Sequence, residues 1–294
     1  MSLRDDMAVR LVLLLNRLFP DLSAKTNRNK RSLEAYSQFE YGRAASAVRP
    51  FGRYFAVTGK NVLDVGCGLG GSERYYLEQG AQSVTAIDLS TPRLDAGRMY
   101  VGNTLADGAQ KRMLFAAADA RRFTFPEAAF DLIVSTNTFE HILGVKEALR
   151  ECARVLKPGG HLLISFPPYN APWGAHLSNW IRFPWCQVMF SEKTLVAAAR
   201  RIEARLQVNA WMPEAIRLDL DGRDEIPHLN RMSVREFEAM VARVPLKLVH
   251  ARYQAIGWRS GGLMGQVGRA LVRSAWLREY VTSQAVYVLE KACP

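Results

Sequence analysis

Short apolar runs recur along the chain at 60–65 (KNVLDV), 83–88 (SVTAID), 112–118 (RMLFAAA), 130–135 (FDLIVS) and 161–166 (HLLISF). Each is apolar on both faces of an extended chain, the pattern of a strand buried on both sides. Stretches with helical character separate them, at 71–79, 92–105 and 145–155. Strands alternating with helices imply a parallel sheet with right-handed crossovers. After Phe166 the rhythm stops. Residues 167–230 carry Trp173, Trp180, Trp185 and Trp211 and fit no strand–helix alternation beyond one helix at 191–206, with Ser191 as its N-cap and Glu192 in its first turn. The alternation resumes with a helix at 233–243, opened by a Ser233–Glu236 capping box, a strand at 246–253, a helix at 263–277 and a strand at 284–290. An insertion this long in an otherwise regular sheet is usually functional.

Ahead of the sheet, residues 7–19 are apolar but broken by Arg10 and Arg17 and stopped by Pro20. They are too short for a membrane span and lack the uninterrupted core of a signal peptide. They read as an amphipathic helix that either packs on the domain, or lies on a membrane or over a greasy substrate. The aromatic segment Tyr36, Phe39 and Tyr41 with Arg43 is placed to fold over a ligand of the sheet.

Composition narrows the class. The 294 residues are 49% hydrophobic and 23% charged, as in ordinary globular proteins. Cys67, Cys152, Cys186 and Cys293 form no CxxC pair, which argues against a disulfide scaffold or a metal site and suits a reducing, cytoplasmic compartment. A net charge of +11 favours anionic partners, and its densest run is 25–31 (KTNRNKR). No zinc-finger, RNP or basic-zipper pattern accompanies that charge, so no specific nucleic-acid partner is expected.

The sharpest signal is 62–71 (VLDVGCGLGG). It ends a strand and opens a helix, and Gly66, Gly68 and Gly70 permit a tight turn and a close approach of backbone to ligand. Asp88 follows about 20 residues on, at the end of the second strand, where a carboxylate accepts from both hydroxyls of a ribose. A fingerprint of this kind serves NAD or S-adenosylmethionine. The run Asp64-Val-Gly-Cys-Gly-Leu-Gly70 resembles the first motif of the class I S-adenosylmethionine-dependent methyltransferases. Asp88, Asp119 after the third strand, 130–141 (FDLIVSTNTFEH) and 156–160 (LKPGG) match their later motifs in order.

The resemblance covers roughly 61–166 and suits an antiparallel last strand. It implies a doubly wound α/β fold with a seven-stranded sheet, six strands parallel and the last antiparallel. The family pattern covers neither the insertion nor the first 50 residues; the chain is expected to divide into an N-terminal helical cap (1–58), a cofactor-binding half (59–166), a substrate-lid insertion after strand 5 (167–230) and a C-terminal part of the sheet (231–294). The resemblance implies S-adenosylmethionine as cofactor, held by Asp64, Gly66, Cys67, Gly68, Gly70, Asp88, Leu89, Asp119, Ala120 and Asn137. Chemistry agrees: Asp64 is placed for the methionine amino group, and Asp119 with the Ala120 N–H for the adenine edge. No metal is expected.

Pro167-Pro168-Tyr169 looks like the core of a motif that methylates nucleobase amines. That motif follows the fourth strand and starts with a polar acceptor. Here the run follows the fifth strand, behind Phe166, which accepts nothing. It reads instead as the exit into the insertion. The candidates for a base are His176 in the insertion and His141 after the fourth strand. His141 alternatively braces the next helix or touches cofactor, and His176 alternatively bonds lid backbone. The aromatic cluster of the insertion either walls the acceptor or forms a small core of its own.

The expected activity is methylation of a small molecule, anionic or apolar, at the oxygen of a glycan, lipid-linked or secondary-metabolite hydroxyl. Carbon methylation of a quinone or isoprenoid-like acceptor is the first alternative and RNA methylation the second; a scaffold without catalysis is a third. The expected setting is the cytoplasm, with peripheral membrane contact as the variant. Oligomeric state is not legible.

Overall fold

Burial on both faces makes strands of the apolar runs. In a computed structural model, which describes residues 3–20, 32–105, 107–204, 226, 229–255 and 263–293, they are β1 (Asn61–Val65), β2 (Ser83–Asp88), β3 (Met113–Ala117), β4 (Phe130–Thr136) and β5 (Leu156–Phe166). The basic run at 25–31, Trp211 and His228 lie outside the described residues. Besides one turn of helix at Asp107–Gln110, the helices are α1 (Leu3–Leu18), α2 (Leu33–Val48), α3 (Gly71–Glu78), α4 (Thr91–Thr104), α5 (Val145–Val155), α6 (Cys186–Met189), α7 (Glu192–Glu203) and α8 (Val234–Val241). After β6 (Lys247–Ala255) come α9 (Leu263–Leu271), α10 (Ala275–Val281) and β7 (Thr282–Glu290). The single helix expected at 263–277 is thus two. Ser274 starts the second by accepting from the Leu277 N–H at 3.5 Å.

Chain contacts divide the molecule into two units. The first comprises Ser32–Phe166, Arg235–Arg252 and Ala285–Pro294. Its sheet runs β3-β2-β1-β4-β5-β7-β6, with the last strand antiparallel to β5 from His161 opposite Glu290 to Phe166 opposite Ala285. The run 156–160, which matches the last of the family motifs, is the irregular first part of β5 and not a turn ahead of it. Gly159 takes a φ of 71° there, and the register shifts opposite Phe130 and Leu132. Val62, Leu63, Leu132, Ile133, Leu162 and Leu163 are fully inside, which is why these strands need apolar residues on both faces. From β1 the chain winds outward through β2 to β3 and then crosses back to β4 on the other side of β1. That reversal opens the crevice where ligands of such sheets bind, beyond the strands' carboxyl ends.

The second unit comprises Met1–Arg31, Pro167–Val234 and Tyr253–Gln284. It has its own core. Val9 and Val12 of α1 pack with Trp180, Ile181 and Phe183 of the insertion and with Leu195 and Val196 of α7. Asn16 clips the insertion to α1: its Nδ2 donates to the Trp180 carbonyl at 2.9 Å, and its Oδ1 accepts from the Arg182 N–H at 2.6 Å. Asp6 pairs with Arg201 at 2.8 Å across the α1–α7 contact. The Tyr169 hydroxyl of the Pro-Pro-Tyr run donates to Glu192 at 2.7 Å, and its N–H to the Met232 carbonyl at 3.0 Å. Trp185 donates to the Tyr280 carbonyl at 2.7 Å.

Candidate functional site

The glycine loop leaves β1 and enters α3 through three left-handed residues, Gly66, Gly68 and Gly70. Gly66 has no substitute: at φ 81° a side chain is strained, and a Cβ would collide with the Thr138 hydroxyl. Thr138 follows β4, so the end of that strand is packed directly on the loop. Asp88, at the end of β2, ties the loop to its own turn. Its Oδ2 accepts from the Gly68 N–H at 3.3 Å and its Oδ1 from the Ser90 N–H at 2.9 Å. A carboxylate offers about four acceptor positions, which leaves it capacity for two hydroxyls.

Asp64, on β1, is 2% exposed. Its partner is Glu73 in the first turn of α3, also buried, whose two oxygens receive no donor among the described residues. Burial pushes both carboxyls up, Asp64 to about 7 and Glu73 well above its ordinary value, and the nearby Asp64 charge raises Glu73 further. A third acid, Glu40, comes from α2. It accepts from the Leu69 N–H at 3.1 Å and the Gly71 N–H at 3.5 Å, with Arg43 at 3.7 Å, while Ser37 donates to the Leu69 carbonyl at 3.0 Å. Burial raises Glu40 to about 7 against the pull of Arg43 and of those two N–H groups. The helix that carries Tyr36, Phe39 and Tyr41 thus braces the glycine loop.

After β4, Asn137 takes a φ of 55° and donates its N–H to the Ser165 carbonyl at 2.8 Å, and a single turn follows at Phe139–His141. Glu140 in that turn is buried, neither of its oxygens meets a donor among the described residues, and burial lifts it to about 8. His141 beside it is about 40% exposed, with its Nε2 3.9 Å from Glu140. Asp119 is held by Arg121, whose Nη2 donates to it at 2.6 Å and whose N–H donates at 2.9 Å. That pairing lowers the Asp119 carboxyl and competes with any other donor. Ala120 stands between the two, half-buried. Cys67 is buried and its thiol is pushed up by burial. Leu89 is 74% exposed, an apolar side chain just past Asp88.

The structure therefore brings Asp64, Gly66, Cys67, Gly68, Gly70, Asp88 and Asn137 to the carboxyl edge of β1, β2 and β4. It sets Asp119 and Ala120 after β3 and His141 after β4. His176 belongs to the second unit, half-buried, at a φ of 56°, with its N–H on the Trp173 carbonyl at 3.1 Å. Glu40, Glu73 and Glu140 were not legible as site residues. Only Glu140, next to His141 in the fourth-strand motif, carried a signal.

The donor set fits S-adenosylmethionine. Buried acids at the loop suit an ammonium, and Asp88 suits a ribose. A family profile described as a methyltransferase domain matches residues 63–164. A phosphoethanolamine N-methyltransferase of Triticum aestivum is 37% identical over 107 residues, 36% of this chain and 20% of its own length. A ubiquinone biosynthesis O-methyltransferase of Idiomarina loihiensis is 36% identical over 107 residues, 36% of this chain and 42% of its own. Among solved structures, geranyl diphosphate C-methyltransferase from Streptomyces coelicolor A3(2) superposes with a TM-score of 0.53 at 15% identity, over 85% of this chain and 77% of that one. The matched segment is about a third of this chain and a fifth to two fifths of those two curated relatives. The chain carries the domain of a class I S-adenosylmethionine-dependent methyltransferase. S-adenosylmethionine is the cofactor of that domain.

Asp88→Ala removes the acceptor for the ribose hydroxyls. It is expected to weaken cofactor binding by about 5- to 150-fold, the equivalent of about 1–3 kcal/mol. Calorimetry with an unchanged affinity would take Asp88 out of the site.

Proposed function

We propose that the protein transfers the methyl group of S-adenosylmethionine to the oxygen of a small-molecule hydroxyl, on a glycan, a lipid-linked compound or a secondary metabolite. The observation that carries the reading is the Asp88 carboxylate fixed on the Gly68 N–H at the sheet's switch point, beside the buried acid Asp64. When bound, the cofactor supplies an electrophilic methyl on a sulfonium. Asp64 holds its amino group, Asp88 its ribose, and Asp119 with Ala120 its adenine edge. Gly66 and Asn137 line the crevice. His176 and His141 are the candidates to take the hydroxyl proton, His176 as the base and His141 as a residue that also touches the cofactor.

The acceptor is small, anionic or apolar, and reached in the cytoplasm or at a membrane that the protein touches peripherally. Among the described residues no helix is long and apolar enough to cross a bilayer. A second reading is carbon methylation of a quinone or isoprenoid-like acceptor. The exposed apolar residues of α1, Met7, Leu11, Leu14 and Leu18, favour it, because they suit a substrate that resides in lipid.

Incubation of the protein and radiolabelled S-adenosylmethionine with fractionated cell extract is the deciding experiment. Label in a polar or lipid-linked ether supports the first reading. Label in a carbon-methylated prenyl compound supports the second. Tight cofactor binding with no label in any fraction counts against both.

A further inference from the structure

We propose that α1 docks the protein on an anionic lipid surface through the row Met7, Leu11, Leu14 and Leu18. This rests on the peripheral membrane contact proposed above and names the segment and the lipid chemistry that make it. These four side chains are 64%, 47%, 57% and 72% exposed. At 100° per residue they fall within about 60° of one another on the helix, in a row about 16 Å long. The side of α1 turned away from them is spent: Val9 and Val12 are fully buried in the core of the second unit, and Asn16 is clipped to the insertion. Scattered exposed apolar residues are ordinary on a soluble protein, but a continuous row on one helix marks a contact surface.

Charge selects the occupant. Exposed Arg4 lies on one flank of the row, and exposed Arg10 and Arg17 lie on the other. This is the arrangement of a helix resting in a bilayer interface, apolar residues among the acyl chains and cations at the headgroups. The two acids of α1 do not oppose it. Asp5 faces Lys193 of α7 at 3.6 Å, and Asp6 is shared between Arg201 of α7 at 2.8 Å and Arg10 at 2.7 Å, so both acids are matched by cations and Arg4 and Arg17 carry the charge of the flanks. The sequence adds Lys25, Arg28, Lys30 and Arg31 shortly after the helix, within a chain of net charge +11. A basic helix flank of this kind is drawn to acidic phospholipid and released by salt. A second copy of the chain would meet the same arginines in the same row and place like charges together, so the lipid surface is the better complement.

The test is co-sedimentation of the full chain with vesicles of phosphatidylcholine alone and of phosphatidylcholine mixed equally with phosphatidylglycerol. Binding to the mixed vesicles is expected to exceed binding to the neutral ones by at least about tenfold and to fall as salt is raised. Leu11→Asp/Leu14→Asp is expected to lose at least about tenfold of that binding while its cofactor affinity stays at the parent value. Arg4→Glu/Arg17→Glu, which leaves the apolar row intact, is expected to lose the preference for phosphatidylglycerol. Equal binding by the parent and the leucine variant overturns the proposal. So does a parent that binds neither vesicle, or a size-exclusion shift from dimer to monomer in the leucine variant. Cofactor affinity measured on the same samples separates the two readings: vesicle binding without cofactor binding sinks the methyltransferase assignment and leaves the docking surface standing.

Discussion

His176→Ala is expected to lower methyl-transfer turnover by about 10²- to 10⁴-fold while leaving the affinity for S-adenosylmethionine unchanged. The range is that of a positioned general base. His176 lies ten residues after Phe166, the last residue of β5, within the insertion that follows that strand in the chain. Its backbone is unusual. A histidine at φ 56° occupies a region few residues other than glycine visit, and strained positions of this kind gather at working sites. Substitution by alanine therefore changes two things, the imidazole and the backbone preference. His176→Asn separates them, because asparagine tolerates the left-handed region and takes no proton. Equal losses in both variants identify the imidazole as the active group; a loss confined to alanine assigns His176 to the turn. His141→Ala is the contrasting case. His141 adjoins Glu140 in the turn that packs near the glycine loop, so cofactor affinity is expected to fall together with turnover. A crystal structure with cofactor in which His176 points to solvent would remove it from the chemistry.

The second large effect is on stability. Without cofactor, the protein is expected to lose stability as pH rises from about 5 to 8, the four raised carboxyls outweighing His161 and His250, whose lowering by burial works the other way below about pH 6.5. Glu40 and Glu140 have carboxyls raised by burial to about 7 and about 8, and Asp64 with Glu73 is raised likewise. Unfolded, such groups ionise near pH 4. Between the two values the native state holds protons that the unfolded state has released, so unfolding becomes easier as pH rises. The stabilisation is full below the unfolded value and gone above the folded one. Each group adds up to about 1.36 kcal/mol per pH unit within its window. Glu140→Gln keeps the shape and discards the ionisation, so its thermal unfolding curve against pH should be shallower by the share of one group. Parallel curves for the two proteins would mean that Glu140 is ionised or solvated in the native state.

The sheet was legible because its strands are buried on both faces and so betray themselves as apolar runs. The loop was legible because Gly66, Gly68 and Gly70 have a conformational reason to be glycine. Two kinds of feature were not. The break between α9 and α10 carries no glycine or proline, only Val272, Arg273 and Ser274, and the capping role of Ser274 shows in the sequence only once the break is known. The buried acids were hidden for a different reason. Glu73 in the first turn of a helix reads as an ordinary complement to the helix dipole. Glu40 reads as one acid on a mixed helix. Only the tertiary fold takes them out of water. The amphipathic pattern of residues 7–19 likewise announced a buried side without naming its partner, and the insertion supplies it.

The grip of Glu40 on the loop ties two distant positions to one another over evolutionary time. A Cβ at Gly68 would run into the Glu40 carboxyl, while the Leu69 and Gly71 N–H groups depend on that same carboxyl for an acceptor. A lineage that shortens residue 40 strands those donors, and one that enlarges residue 68 must first retract residue 40. Positions 40 and 68 are thus bound to drift as a pair, so the cofactor loop carries part of its inheritance in a helix that lies before residue 63, where the methyltransferase profile begins.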